Sequence, residues 1–317
     1  MQETKNNTKI LIIGFGSIGQ RHYRNLVSLG YKNITVFDTD VKKIKYQKLK
    51  IKILDKKTLG NFDIAFICNP NHKHVEASIK CAEAGLHLFI EKPLSHDLKG
   101  VTKLEKLLKS KKLIDMVACN MRFHPAFLVI KKYIDSGKLG KIYSVDHEFG
   151  YYLPYWRPGT DYRKNYAAKN KMGGGIVLDD IHEFDLLFWI NNFSPVKKHL
   201  IIKEHSGSLK IETEDIAKGI FQFKNGLSGS VSCDYLSKKY HRICRVVGEK
   251  GNLSWDWNEN IVWLENEKSV KKIFGEKEYD KNEMYIEEVK YFLKSVKEKK
   301  KTFNDVTQAK EILKYLI

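Results

Sequence analysis

Residues 9–22 read KILIIGFGSIGQRH, and this stretch decides the fold. The apolar run Lys9–Ile13 predicts a strand, and Ser17–Leu29 has the spacing of an amphipathic helix. Between them lie Gly14, Gly16 and Gly19 in the pattern G-x-G-x-x-G. A second apolar run, Ile34–Phe37, ends on Asp38, nineteen residues after Gly19. Strand, glycine turn, helix, strand and acid in that order predict a dinucleotide-binding βαβ unit. Gly14 permits the turn out of the strand, Gly16 lets backbone approach a pyrophosphate, and Gly19 lets helix and strand lie close. The N–H groups at the helix start, those of Ser17 and Ile18 among them, are expected to face the phosphates, aided by a dipole of about half a charge. Asp38 is expected to accept hydrogen bonds from the adenosine ribose. A 2′-phosphate there would meet a carboxylate, so NAD is expected over NADP, with Lys42 and Lys43 close enough to soften the preference.

At 317 residues the chain exceeds the size at which a single core stops growing, about 250–300 residues, so two domains are expected. With 42% hydrophobic and 12% aromatic residues it has enough apolar material for a real core. No apolar run approaches the roughly 20 residues that cross a bilayer. The opening MQETKNNTK has no hydrophobic segment, so neither a membrane partner nor a signal peptide is expected. Cys68, Cys81, Cys119, Cys233 and Cys244 form no C-x-x-C pair and read as thiols of a reducing cytoplasm. The net charge of +18 comes from lysines spread along the whole chain, with no arginine-rich stripe. That pattern reads as a solvated surface, with some attraction for anionic substrates, rather than as a nucleic-acid interface.

Strand and helix alternate through the first 120 residues. Strands are expected at Lys9–Ile13, Ile34–Phe37, Ile51–Leu54, Ile64–Cys68, Leu86–Ile90 and Ile114–Cys119. Short continuous runs such as IAFIC suit a parallel sheet covered on both faces. HVEASIKCAEAG has helical periodicity and ends at Gly85. Beyond Met121 come an amphipathic helix (PAFLVIKKYIDSG), a strand (IYSVDHEFGYY), an irregular aromatic stretch and a helix (IVLDDIHEFDLLFWI). Strand-like runs at hairpin spacing follow: EDIAKGIFQF, GLSGSVSCDYL, HRICRVVG, NLSWDW and NIVWLE, with Asn225–Gly226 as a turn. Helices near Asn282–Lys299 and Val306–Leu316 end the chain. The expected fold is α/β: a Rossmann domain with a doubly wound parallel sheet (residues 1–121), then an α+β domain with a large, mostly antiparallel sheet (residues 122–317), the last helices free to pack back on the first domain.

Four blocks make the chain resemble the Gfo/Idh/MocA oxidoreductases. They are the glycine turn with Asp38; Cys68-Asn-Pro-Asn-His-Lys-His74; Glu91-Lys92-Pro93 at the end of a strand; and Gly173-Gly-Gly-Ile-Val-Leu-Asp179-Asp-Ile-His182. The resemblance implies cofactor contacts at Asn69, Pro70, His74, Glu91 and Lys92, and a reaction site at Lys92, Asp179 and His182. In one respect the chain departs from the pattern. Many members carry an aspartate four residues before the motif histidine, whereas Asp179 stands three before His182. The resemblance implies oxidation of a secondary hydroxyl on a sugar, cyclitol or nucleotide-linked sugar. NMRFHP at 120–125, YLPYW at 152–156 and DYR at 161–163 resemble a branch associated with bacterial surface carbohydrates.

Such an oxidation moves a hydride from carbon to the nicotinamide and a proton from the hydroxyl to a protein base. An imidazole with a pKa of about 6.5 accepts that proton at neutral pH more readily than an amine at about 10.4. His182 is therefore the expected base. Lys92 is expected to hydrogen-bond the reacting oxygen or relay its proton, with the opposite assignment open. Pro93 biases Lys92 toward extended backbone. Tyr152, Trp156 and neighbouring aromatics suit a sugar ring or, equally, packing against another subunit; Arg157 and Arg163 suit a carboxylate or phosphate, and Arg122 is a further substrate candidate. The H-x-H of His72 and His74 lacks companion ligands, so no metal is expected. A homodimer or homotetramer is expected through the second domain's sheet. Redox-neutral use of NAD by a glycosidase or epimerase, and a dinucleotide-binding sensor, are the alternatives.

Overall fold

The structure is a computed structural model that describes residues 7–40 and 54–317. The chain divides into two compact units. One comprises the chain up to Cys119 together with Tyr285–Tyr315; the other is Asn120–Met284.

In the first unit, β1 (Ile10–Ile13), β2 (Ile34–Phe37), β3 (Ile64–Ile67), β4 (His87–Ile90) and β5 (Asp115–Val117) form a parallel sheet in the order β2-β1-β3-β4-β5 among the described residues. β1 and β3 are buried along their whole length, as a parallel sheet covered on both faces requires. The expected strand at Ile51–Leu54 falls, except for Leu54, outside the described residues, as do Lys42 and Lys43. Helices α1 (Ser17–Ser28), α2 (Lys56–Leu59), α3 (His74–Glu83) and α4 (Val101–Ser110) connect the strands. The final helices, which are numbered below as α8 (Glu283–Glu298) and α9 (Val306–Leu316), belong largely to this unit. Phe292 of α8 packs edge-on against Phe66 and Phe89, and the segment before α9 closes the outer edge of β5. There the Val117 N–H donates to the Asn304 carbonyl (2.8 Å), the Asn304 amide donates to the Val117 carbonyl (2.6 Å) and the Thr302 hydroxyl donates to the Asp115 carbonyl (2.6 Å).

The second unit is built on an eight-stranded sheet, in the order β13-β12-β11-β10-β6-β9-β8-β7. Its strands are β6 (Ile142–Gly150), β7 (Val196–Glu204), β8 (Ile216–Phe223), β9 (Ser228–Asp234), β10 (His241–Gly248), β11 (Gly251–Asp256), β12 (Ile261–Asn266) and β13 (Ser269–Gly275). All neighbours are antiparallel except β6 and β9. β7 and β13 were not expected, and they are the two edges. Their solvent-facing lysines, a common protection of edge strands, hide the alternation that marks a strand. α5 (Pro125–Asp135) starts with proline at its first position. The helix expected over 176–190 is two: α6 (Ile176–Asp179) and α7 (His182–Ile190), separated at Asp180, whose φ −112° and ψ 46° are not helical. The aromatic stretch is a chain of four 3₁₀ turns from Leu153 to Met172. No described helix is long and apolar enough to cross a membrane.

Candidate active site

In the first unit the glycine turn sits against the end of β3. Gly14 has φ +94°, and a Cβ placed on it would lie 2.5 Å from the Asn69 nitrogen. A Cβ on Gly19 would strike the Gly14 carbonyl, whereas one on Gly16 would meet nothing within 4 Å. The turn thus packs tightly against protein at two glycines and opens outward at the third. α1 begins at Ser17 with no side-chain cap and no acidic residue in its first turn, so its first N–H groups face outward. Ser17 is exposed and Ile18 half-buried. Asp38 lies beside them: one carboxylate oxygen accepts from the Phe15 N–H (2.6 Å), the other from the Asp40 N–H (2.8 Å). A carboxylate has about four acceptor sites, so ribose hydroxyls can still bond to it. The Asn69 side-chain oxygen is buried without a hydrogen-bond partner, and next to it Pro70 is exposed. Open space over Gly16, uncapped helix N–H groups, a carboxylate at the end of β2 and an orphaned amide oxygen together fit a dinucleotide. Asp38→Ala is expected to weaken NAD⁺ binding and narrow its advantage over NADP⁺, as read from the two dissociation constants in fluorescence titrations. An unchanged ratio would remove Asp38 from the ribose.

Glu91, Lys92 and Pro93 follow β4, and the Lys92–Pro93 peptide is cis. Lys92 is half-buried; Glu91 is buried and accepts from His22 Nε2 of α1 at 2.5 Å. Burial pushes the Glu91 carboxyl up. The His22 hydrogen bond and the neighbouring positive charge of Lys92 outweigh it and hold the group below the usual carboxylate range. His74, expected to touch the cofactor, is instead a strut. Its ring is buried, with Nδ1 2.8 Å from the Pro93 carbonyl and Nε2 2.7 Å from the Asn69 carbonyl, so it ties the two strand-end loops together. Burial lowers its pKa against the pull of those carbonyls.

In the second unit the glycines preceding α6 bring chain segments close. Gly175 has φ +103°, and a Cβ there would collide with the Glu214 carboxylate. Asp179 closes α6 and His182 opens α7; both are buried. The Asp179 carboxylate accepts the hydroxyls of Tyr166, in a short bond, and of Tyr235 at 3.0 Å. Burial and the adjacent Asp179 charge push the Tyr235 hydroxyl well above its usual range, so it stays a donor. Trp156 lies edge-on to Tyr235 at 5.3 Å and donates its indole N–H to the Tyr151 carbonyl (2.9 Å). Arg157 lies over the Tyr166 ring at 5.6 Å. The expected residues Asp179 and Trp156 thus meet in one cluster with Tyr166 and Tyr235. Tyr152 is half-buried under the Lys238 ammonium, 3.0 Å from its ring centre.

Two substrate candidates are corrected by their partners. Arg122 is 1% exposed and forks onto Asp185 of α7 (2.7 and 2.6 Å), so it is a structural tie. Arg163 spends its guanidinium on Asp161 two residues away, a local surface pair.

Arg242 of β10 escaped the sequence reading. It is buried and bonds Asp180 (2.5 Å) and Glu183 (2.7 Å), the residues that follow Asp179 and His182. One guanidinium thus fixes the chain break between α6 and α7. Burial and Asp180 push the Glu183 carboxyl up against the pull of Arg242. Asp180, Glu183 and Cys233 are close enough to suggest a metal, but Arg242 supplies the cation at this point. A signal was present: arginine at an inward position of the alternating run HRICRVVG demands a buried carboxylate. Tyr235 and His22 carried no comparable signal.

The two halves of the chain match two models of one family. Residues 8–119 match the oxidoreductase family NAD-binding Rossmann fold, and residues 127–254 match the GFO/IDH/MocA C-terminal domain. The chain belongs to the Gfo/Idh/MocA family of NAD-binding oxidoreductases. It is 28% identical over 310 residues to a myo-inositol 2-dehydrogenase of Thermotoga maritima, covering 91% of this chain and 88% of that one. It is 26% identical over 265 residues to a scyllo-inositol 2-dehydrogenase (NAD⁺) of Bacillus subtilis, covering 78% and 74%. Among solved structures, levoglucosan dehydrogenase in complex with NADH and L-sorbose shares the fold, with a TM-score of 0.84 at 17% identity over 97% of this chain and 94% of that one.

Proposed function

We propose that this chain oxidises a secondary hydroxyl of a sugar, cyclitol or nucleotide-linked sugar with NAD⁺, in the cytoplasm. The observation that carries the reading is Lys92 beside the ionised Glu91 at the end of β4, in a family of NAD-binding oxidoreductases; Asp179 and His182, both buried in the second unit, are the further residues the reading uses. NAD⁺ supplies the hydride acceptor. His182 takes the hydroxyl proton as the C–H bond gives up its hydride, and a ketone forms. Lys92 donates a hydrogen bond to the reacting oxygen and stabilises its alkoxide character. Asp179, with two tyrosine hydroxyls on it, is fixed in place to hold a substrate hydroxyl or orient His182. The inositol dehydrogenases among the relatives favour a polyhydroxylated ring. Arg157, stacked on the tyrosine that bonds Asp179, favours a substrate that also bears a carboxylate or phosphate.

The test is absorbance at 340 nm on mixing protein, NAD⁺ and a panel of neutral sugars, cyclitols, sugar acids and nucleotide sugars. NADH accumulation with a panel member supports the reading. Product without net NADH points to internal recycling, and NAD⁺ binding with no turnover of any member points to a sensor; either overturns it.

We also infer a homodimer or homotetramer through the sheet face opposite α6 and α7. Leu200 and Ile220 are cross-strand partners on that face, 55% and 57% exposed, and Ile202, two residues along β7, adds to it. Contiguous exposed apolar residues of this kind mark association surfaces. Light scattering should give a dimer or tetramer mass, reduced to the monomer by Ile220→Lys. A monomeric wild type would end the proposal.

A further inference from the structure

His22 is fully buried on α1, the helix that starts at the glycine turn, and it has no part in the reading above. Its Nε2 lies 2.5 Å from Glu91, while its Nδ1 is buried with no hydrogen-bond partner. The ring packs at 5.6 Å and 5.0 Å from Phe66 and Phe89, a setting that an apolar side chain would fill without cost. What histidine adds there is one N–H aimed at one carboxylate. An ionised carboxylate only accepts, so Nε2 carries the proton of this bond.

We propose that His22 is a positioning residue of the reaction: by donating to Glu91 it fixes that carboxylate beside Lys92, and through it sets the aim of Lys92. The proposal rests on the role given to Lys92 above. The titratable groups around Glu91 are His22 from α1, His74 from α3, the Cys68 thiol at the end of β3 and Lys92 in its own loop. Burial works to protonate Glu91, and the His22 bond is the chief local force against it. With His22 absent, burial prevails and Glu91 takes up a proton. Lys92 then loses the negative charge beside it. The arrangement also ties the helix that cradles the cofactor to the group beside the reacting oxygen.

The experiment compares His22→Leu with His22→Gln, whose amide N–H can still reach Glu91. His22→Leu is expected to lower kcat about 10–100-fold, the worth of a hydrogen bond to a charged group. KM for NAD⁺ should stay within a few-fold. His22→Gln should restore most of kcat. A wild-type kcat in His22→Leu overturns the proposal. So does a loss that His22→Gln fails to restore although both variants melt like the wild type. If His22→Leu does not fold, ¹⁵N NMR of the wild-type histidines decides: a proton on His22 Nε2 at the pH of the assay supports the proposal, and an Nδ1–H tautomer with a bare Nε2 sinks it. A Lys92→Ala enzyme that retains turnover would instead remove the role of Lys92 on which the proposal stands.

Discussion

Lys92→Ala is expected to cut turnover by roughly 10²–10⁴ while the dissociation constant for NAD⁺ stays near its wild-type value. The two quantities separate because they rest on different parts of the first unit. In the proposed site, cofactor binding draws on the open face of Gly16, the uncapped start of α1 and Asp38, none of which depends on the lysine side chain. Lys92 sits at the end of β4, where ligands of open parallel sheets bind beyond the strand termini. Its neighbour Glu91 is held ionised, and the lysine side chain can donate to an oxygen gaining negative charge. Steady-state rates at 340 nm and a fluorescence titration with NAD⁺ make the comparison. Unchanged turnover would remove Lys92 from the chemistry, and a matching loss of NAD⁺ affinity would make it a binding residue.

The second large effect is on stability. Arg242→Met should lower the unfolding free energy by about 3–5 kcal/mol, the usual result of removing one partner of a buried ion pair. The loss arises because Asp180 and Glu183 are left facing each other without a cation. It should also depend on pH. Carboxyls whose folded pKa is raised stabilise the protein at low pH and lose that contribution as pH rises through the folded value. Without Arg242 the Glu183 carboxyl rises further, so the deficit should grow from pH 5 to pH 8. Urea unfolding at both pH values measures it, and adding Glu183→Gln to Arg242→Met should recover part of the deficit at pH 8. A deficit independent of pH would show that packing, not charge, sets the cost. Because Asp180 and Glu183 follow Asp179 and His182 directly, any partly folded fraction should also lose activity.

Local patterns made the first unit readable. Its strands are continuous apolar runs, its glycine turn has a fixed spacing, and Glu91 and Lys92 follow a strand in sequence, so little depended on distant partners. The second unit was readable at its centre but not at its rim, where β7 and β13 carry Lys197, Lys198, Lys203, Lys271 and Lys272 in place of a clean alternation. The misread residues share one cause. Arg122 stands beside motif residues in the sequence, yet its role is set by Asp185, 63 positions away. The break at Asp180 is fixed by Arg242, 62 positions away. A charge on a helix or turn looks available for a ligand until the fold supplies its counter-charge. His74 packs at the start of its helix, where two backbone carbonyls from separate loops take up its ring.

The closure of β5 by residues 302–304 bears on how the nascent polypeptide matures. Translation delivers the five described strands of the nucleotide-binding sheet by residue 117, but the bare flank of that sheet receives its cover only with residues 302–304. While the roughly 180 intervening residues are made, the emerging sheet therefore exposes unsatisfied amides and carbonyls of the kind that recruit foreign strands. The second unit lies almost wholly within that interval and has no such wait. Completion of the early-made sheet is thus governed by arrival of a segment far downstream.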